Sequence, residues 1–200
     1  MTEESKAHPY IEWAKNRLDE MDATLSALES KAGELETDVS AKAEEALADM
    51  RRQRDAFHSY LNKNLESAES VWKQSMAQLK NDWATFEKDV QSYVDSSKHN
   101  VEQYEAAFKA RADVQMKAWQ TALNEALEVA VKFPQERKAD VEKAIDGMKS
   151  EAKAAEARLE AMKKAGEESW SALDAALSDS RRAFEKATEN MQEAFKRAWK

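Results

Sequence analysis

The chain has 200 residues, 31 Lys and Arg against 39 Asp and Glu, a formal charge of −8, three Gly, two Pro and no Cys. So few turn formers in so charged a chain exclude a turn-rich globular fold and point to long helices. The acidic balance disfavours nucleic-acid binding, and the missing Cys excludes disulfide and thiolate chemistry.

His8-Pro9 reads as a helix start, since Pro is tolerated at the first helical position. From Ile11 through Ala14, Leu18, Met21, Leu25, Leu28, Ala32 and Leu35 to Val39, apolar residues recur every three or four positions, as in a heptad seam. A second seam runs from Leu47 through Met50, Phe57, Leu61 and Leu65. It continues through Trp72, Met76, Leu79, Trp83, Phe86, Val90 and Tyr93. Residues 95–100 form a polar stretch without Gly or Pro, which reads as either a turn or an exposed length of helix. Helix resumes with Val101, Tyr104, Phe108, Met116, Trp119, Leu123 and Leu127, and Phe133-Pro134 interrupts it, because Pro removes a donor and clashes with the preceding turn. Val141, Ile145, Met148, Ala155, Leu159, Trp170, Leu173, Leu177, Phe184, Met191 and Phe195 carry the last seam. Acid-first pairs such as Glu105–Lys109, Asp113–Lys117, Glu160–Lys164 and Glu193–Arg197 support the solvent face.

Shifted by 98 residues, the chain overlays itself: Met50, Leu61, Trp72, Leu79 and Phe86-Glu87-Lys88 fall on Met148, Leu159, Trp170, Leu177 and Phe184-Glu185-Lys186. About 18 identities arise over about 102 positions, about twice the chance number. The expected architecture is an all-α, elongated helical bundle or coiled coil built from two pseudo-repeats, 1–98 and 99–200. Each would hold a short helix followed by one of about 60 residues, reaching about 90 Å. The overlay of Leu35 on Phe133 places a hidden turn near Gly33 to Asp38.

Chemistry-bearing residues are sparse. Asp55 and His58 form half of the acid-x-x-His pattern of di-iron bundles, but neither His8 nor His99 supplies the second half. No phosphate loop, G-x-S-x-G or H-E-x-x-H occurs. The expectation is a non-enzymatic protein with no cofactor and no metal. Trp72, Trp83, Trp119 and Trp170 lie on the seams and read as core. Trp13 and Trp199 flank them and are candidate contacts for a partner or lipid. The C-terminal segment adds Arg181, Arg182, Lys196 and Arg197 beside Phe184, Met191 and Phe195. It reads as a basic amphipathic helix able to lie on a membrane or in a partner's groove. Cations at a helix C-terminus also complement its dipole, without any such role.

Gly166-Glu167-Glu168-Ser169-Trp170-Ser171-Ala172-Leu173 followed by Arg182-Ala183-Phe184-Glu185-Lys186-Ala187 resembles the tail of small bacterial coiled-coil stress-response proteins, which are about half this length. Arg17-Leu18-Asp19-Glu20-Met21-Asp22 is similar to their first helix. The resemblance implies a tandem of two such units and carries over no site. More loosely, the chain resembles apolipoprotein-like and phasin-like amphipathic proteins. The resulting expectation is a cytoplasmic scaffold or stress-related factor that self-associates or binds another helical protein. The alternative is a peripheral coat on a membrane or storage granule. No run of about 18 apolar residues exists to span a bilayer, and residues 1–13 lack the apolar core of a signal peptide.

Overall fold

The computed structural model describes residues 9–32, 37–65, 69–96, 100–165 and 170–199. They form α1 (Pro9–Ala32), α2 (Thr37–Asn64), α3 (Glu69–Ser96), α4 (Asn100–Ala130), a 3-10 turn (Gln135–Arg137), α5 (Lys138–Ala165) and α6 (Trp170–Trp199). No strand occurs among the described residues, and the fold is all-α. Two compact units divide the chain, Met1–Arg111 and Ala112–Lys200. Their division falls within α4, whereas the 98-residue shift divides the sequence just before that helix.

The expected helices of about 60 residues are not formed. Each is two helices: α2 and α3 in the first unit, α5 and α6 in the second. A helix of 28 residues, the size of α2, is about 42 Å long. Folding back lets one apolar stripe cover another within the same chain, which a single long helix cannot do.

In the first unit the helices run up and down in turn. Arg51 and Arg54 of α2 pair with Glu29 and Asp22 of α1, so one number rises as the other falls. Gln53 and Tyr60 of α2 meet Asp89 and Ser75 of α3 in the same antiparallel sense. Glu87 and Asp95 of α3 meet Arg111 and Tyr104 of α4 likewise. The chain therefore reverses between α1 and α2 and between α3 and α4, where the repeat places a break and the polar stretch allows one. Residues 33–36 and 97–99 themselves lie outside the described residues. Met21, Leu28, Met50, Phe57, Trp72 and Phe86 are all fully buried here.

The second unit comprises the remainder of α4, the 3-10 turn, α5 and α6. Arg158 and Asp140 of α5 pair with Asp179 and Arg197 of α6, an antiparallel match over most of both helices. Gln115 and Trp119 of α4 reach Leu177 and Ser180 of α6, so those two run parallel. Pro134 ends α4 as expected. The helix stops at Ala130, and Pro134, with φ −66° and ψ 154°, opens the 3-10 turn by accepting the Arg137 N–H at 3.0 Å. Phe133 beside it is buried and pins the turn to the core.

Several residue pairs that the 98-residue shift equates are alike in burial. Met50 and Met148, Leu61 and Leu159, Trp72 and Trp170, and Leu79 and Leu177 are all buried, in α2 and α5 or α3 and α6. The same shift carries Ala32, the end of α1, onto Ala130, the end of α4, and Thr37 onto Gln135. Three expected seam residues are instead exposed. Leu65 lies just past the end of α2, Val101 is the second residue of α4 and Leu127 lies in its last turn. Of the expected acid-first pairs, Glu105–Lys109 forms at 3.0 Å. Asp113 and Glu160 both turn to Lys163, and Glu193 pairs with Lys196.

Leu159 is fully buried. Leu159→Ala should cost about 2–5 kcal/mol, by lost transfer energy plus a residual cavity. Gly147 lies inside α5, and a Cβ there meets nothing within 4 Å. Gly147→Ala should therefore stabilise by about 1 kcal/mol, through backbone entropy alone. Urea unfolding of both variants measures the two effects.

Candidate functional site

The most concentrated polar chemistry lies inside the first unit. Arg17, Glu20 and Thr24 follow one another at helical spacing on α1 and are all buried. Arg17 donates to Glu20 at 2.7 Å, and the Thr24 hydroxyl donates to the Glu20 carbonyl at 2.6 Å. Arg111 enters from α4 with a side chain wholly removed from solvent. Its Nε donates to Thr24 Oγ1 at 2.6 Å and its Nη1 reaches Glu87 of α3 at 3.3 Å. The Trp83 ring lies under both guanidiniums, 5.3 Å from Arg17 and 5.5 Å from Arg111, and Phe86 is 6.0 Å from Arg111.

Three helices thus meet through one cluster of two cations, two carboxylates and an aromatic ring. Chemically it is a clamp. Arg does not give up its proton in a protein, so neither guanidinium can act as an acid or base. Their planar forks bridge helices with directional bonds, and stacking on the indole offsets part of their desolvation. Removing one member strands the others in a low-dielectric interior. Arg111→Ala should cost about 3–5 kcal/mol in urea unfolding. Arg52→Ala removes a pair exposed to solvent on α2, so it should change stability by at most about 1 kcal/mol.

At one end of α3 the Tyr104 hydroxyl, from α4, donates to Asp95, which also accepts from Gln91. The Tyr104 hydrogen bond, then that of Gln91, holds the Asp95 carboxyl below the usual carboxylate range against slight desolvation. Burial first, and then Asp95, pushes Tyr104 up to about 12. Asp95 therefore stabilises the fold above about pH 4, and that contribution is lost as pH falls through its lower folded value. Tyr104 stabilises below about pH 10, and its contribution is lost as pH rises from there through its folded value. Tyr93, by contrast, has a buried hydroxyl with no hydrogen-bond partner among the described residues, and burial alone raises its pKa. Tyr104→Phe should flatten the acid limb of a stability–pH profile. Tyr93→Phe should leave that limb intact and be neutral or mildly stabilising at pH 7. Thermal melts across the pH range distinguish the two.

The second unit holds most of the candidate contact residues. Met191 is buried, and Phe184 and Phe195 are half-buried against the core. Phe184 meets Trp119 edge-on at 5.0 Å, and Phe195 stacks on Phe133 at 5.8 Å. The apolar face of α6 is thus turned into its own bundle. Arg181 is buried, while Arg182, Lys196 and Arg197 are exposed and pair with Asp179, Glu193 and Asp140. Lys163 is held between Asp113 and Glu160. Burial works to lower its pKa, and the two hydrogen bonds outweigh it, so the net shift is upward. Trp199 is 64% exposed, with one edge against Phe133 at 4.7 Å. Trp13 belongs to the first unit, half-buried on α1 beneath the Arg17 guanidinium at 5.3 Å.

Trp72, Trp83, Trp119 and Trp170 are all buried, as their seam positions suggest. His58 is exposed and bonded to Asn62 at 2.9 Å; His8 and His99 lie outside the described residues. No group of three or more metal-ligating side chains, and no helix long and apolar enough to cross a membrane, occurs among the described residues. The sequence reading passed over Arg111 and Gln115. A signal for them existed: Tyr104, Phe108, Arg111, Gln115 and Trp119 continue one seam at spacings of four and three, so both polar residues stand at core positions. No protein-family model, curated protein or solved structure matches the chain.

Proposed function

We infer that the protein is a non-enzymatic helical scaffold that acts through its surfaces and self-associates. The observation behind this reading is the use made of the interior. Of the buried charged groups of the first unit, Arg17 and Glu20 pair within α1, Arg17 also lies on Trp83 of α3, and Arg111 of α4 bonds Thr24 of α1 and Glu87 of α3, while apolar stripes cover one another within each unit. Such an interior stabilises and aligns helices, and it leaves the outer faces as the means of action. Exposed Leu65 and Val71, at the end where α2 gives way to α3, offer apolar surface for a second copy or another helical protein. The likeness to a tandem of small bacterial coiled-coil proteins, together with the matched burial of Trp72 and Trp170, agrees with a duplicated helical unit. A stress-related role rests on that likeness alone.

Sedimentation equilibrium across micromolar concentrations tests the reading. A concentration-dependent dimer that weakens in the Leu65→Glu/Val71→Glu variant is the expected outcome. A strict monomer at every concentration removes self-association from the proposal.

A further inference from the structure

The end of the second unit where α4 gives way to the 3-10 turn brings together two segments about sixty residues apart. Phe133 packs against Phe195 and Trp199, and Arg137 donates to the Ala198 carbonyl at 3.2 Å. Around this junction three apolar side chains face solvent: Leu127 at 42%, Val131 at 74% and Trp199 at 64%. Leu127 and Val131 stand one turn apart on the same face of the chain, joined by the Val131 N–H to Leu127 carbonyl bond. The stretches 127–138 and 195–199 carry Lys132, Arg137, Lys138, Lys196 and Arg197 against Glu128 and Glu136. Asp140 and Glu193 stand beside them and pair with Arg197 and Lys196, which leaves the tip an excess of one cation, with Lys132 exposed at its apolar edge. The chain as a whole is at −8, so the rest of the molecule is more acidic than its average.

We propose that this tip docks on anionic lipid membrane surfaces with the bundle closed. Charge complementarity supplies the attraction, since an anionic surface draws the cationic excess of the tip. The side chains supply the depth. A Trp with one edge fixed on Phe133 and the rest of its ring in water is suited to the headgroup region, and Val131 and Leu127 add apolar area beside it. The residues that would insert are already exposed, so docking needs no helix to leave the core. This distinguishes it from a coat that spreads its amphipathic helices over a surface. The proposal goes beyond the scaffold reading, and self-association measured without lipid stands or falls separately.

Flotation of the full chain with phosphatidylcholine vesicles, with and without phosphatidylserine, tests the proposal. Binding should require phosphatidylserine and weaken with added salt. Lys132→Gln should lower partitioning about 5-fold. Val131→Ser and Trp199→Ser should each lower it further, at unchanged helicity. Val101→Ser/Lys109→Gln, an equivalent exposed change in the first unit, should leave it unaltered. If Trp199→Ser does not fold, the Val131→Ser/Lys132→Gln double variant decides, since both residues are exposed. Equal binding to neutral vesicles, tip variants that bind as well as the parent, or binding to polyglutamate with none to vesicles would overturn the proposal. So would loss of amide-exchange protection along α6 on the vesicle, because that marks an opened bundle.

Discussion

A helix with one apolar stripe must cover it, and every element of this protein answers that constraint. The stripes recur at spacings of three and four, so each helix presents a single wet face and a single dry one. At about 28 residues the helices are short enough to fold back on their predecessors. The chain therefore closes its dry faces within itself. The large buried residues, Trp72, Phe57, Phe86 and Phe108 among them, supply the area that the many Ala cannot.

Apolar stripes alone specify poorly, because one heptad packs much like the next. The buried polar groups add register. Arg111 can meet Thr24 and Glu87 together at only one axial position of α4 against α1 and α3. Gln115 and Trp119, donating to Leu177 and Ser180, do the same for α4 against α6. Such groups are weak contributors to net stability and strong penalties against misalignment.

The fold class was legible because periodicity is a local property. Pro134, the seams and the four seam Trp residues all read directly. The break between α1 and α2 was reached through the repeat, since neither Gly33 nor Thr37 announces it strongly. The breaks between α2 and α3 and between α5 and α6 were missed because the seam continues through them. Leu65 and Trp72 keep the spacing while the chain changes direction, so pattern alone cannot separate one long helix from two antiparallel ones. The C-terminal amphipathic face was visible in sequence. Its destination was not, because the same stripe serves a membrane or a neighbouring helix, and α6 uses Met191, Phe195 and Phe184 for the neighbour. Trp199 follows the buried Ala198 at the end of α6 and rests one edge on Phe133, with most of its ring in solvent.

The hydrogen bond from Arg111 to Thr24 spans 87 residues, far more than the 36 between Gln53 and Asp89 or the 9 between Asp95 and Tyr104. Loop-closure entropy rises with that separation, so closing the clamp costs more chain entropy than pairing neighbouring helices. On the ribosome, α1, α2 and α3 can emerge before residue 111 has been made, so the Arg111 bonds to Thr24 and Glu87 are the last of the cluster to become available. The first unit is thus built by its nearest neighbours and locked by its most distant one.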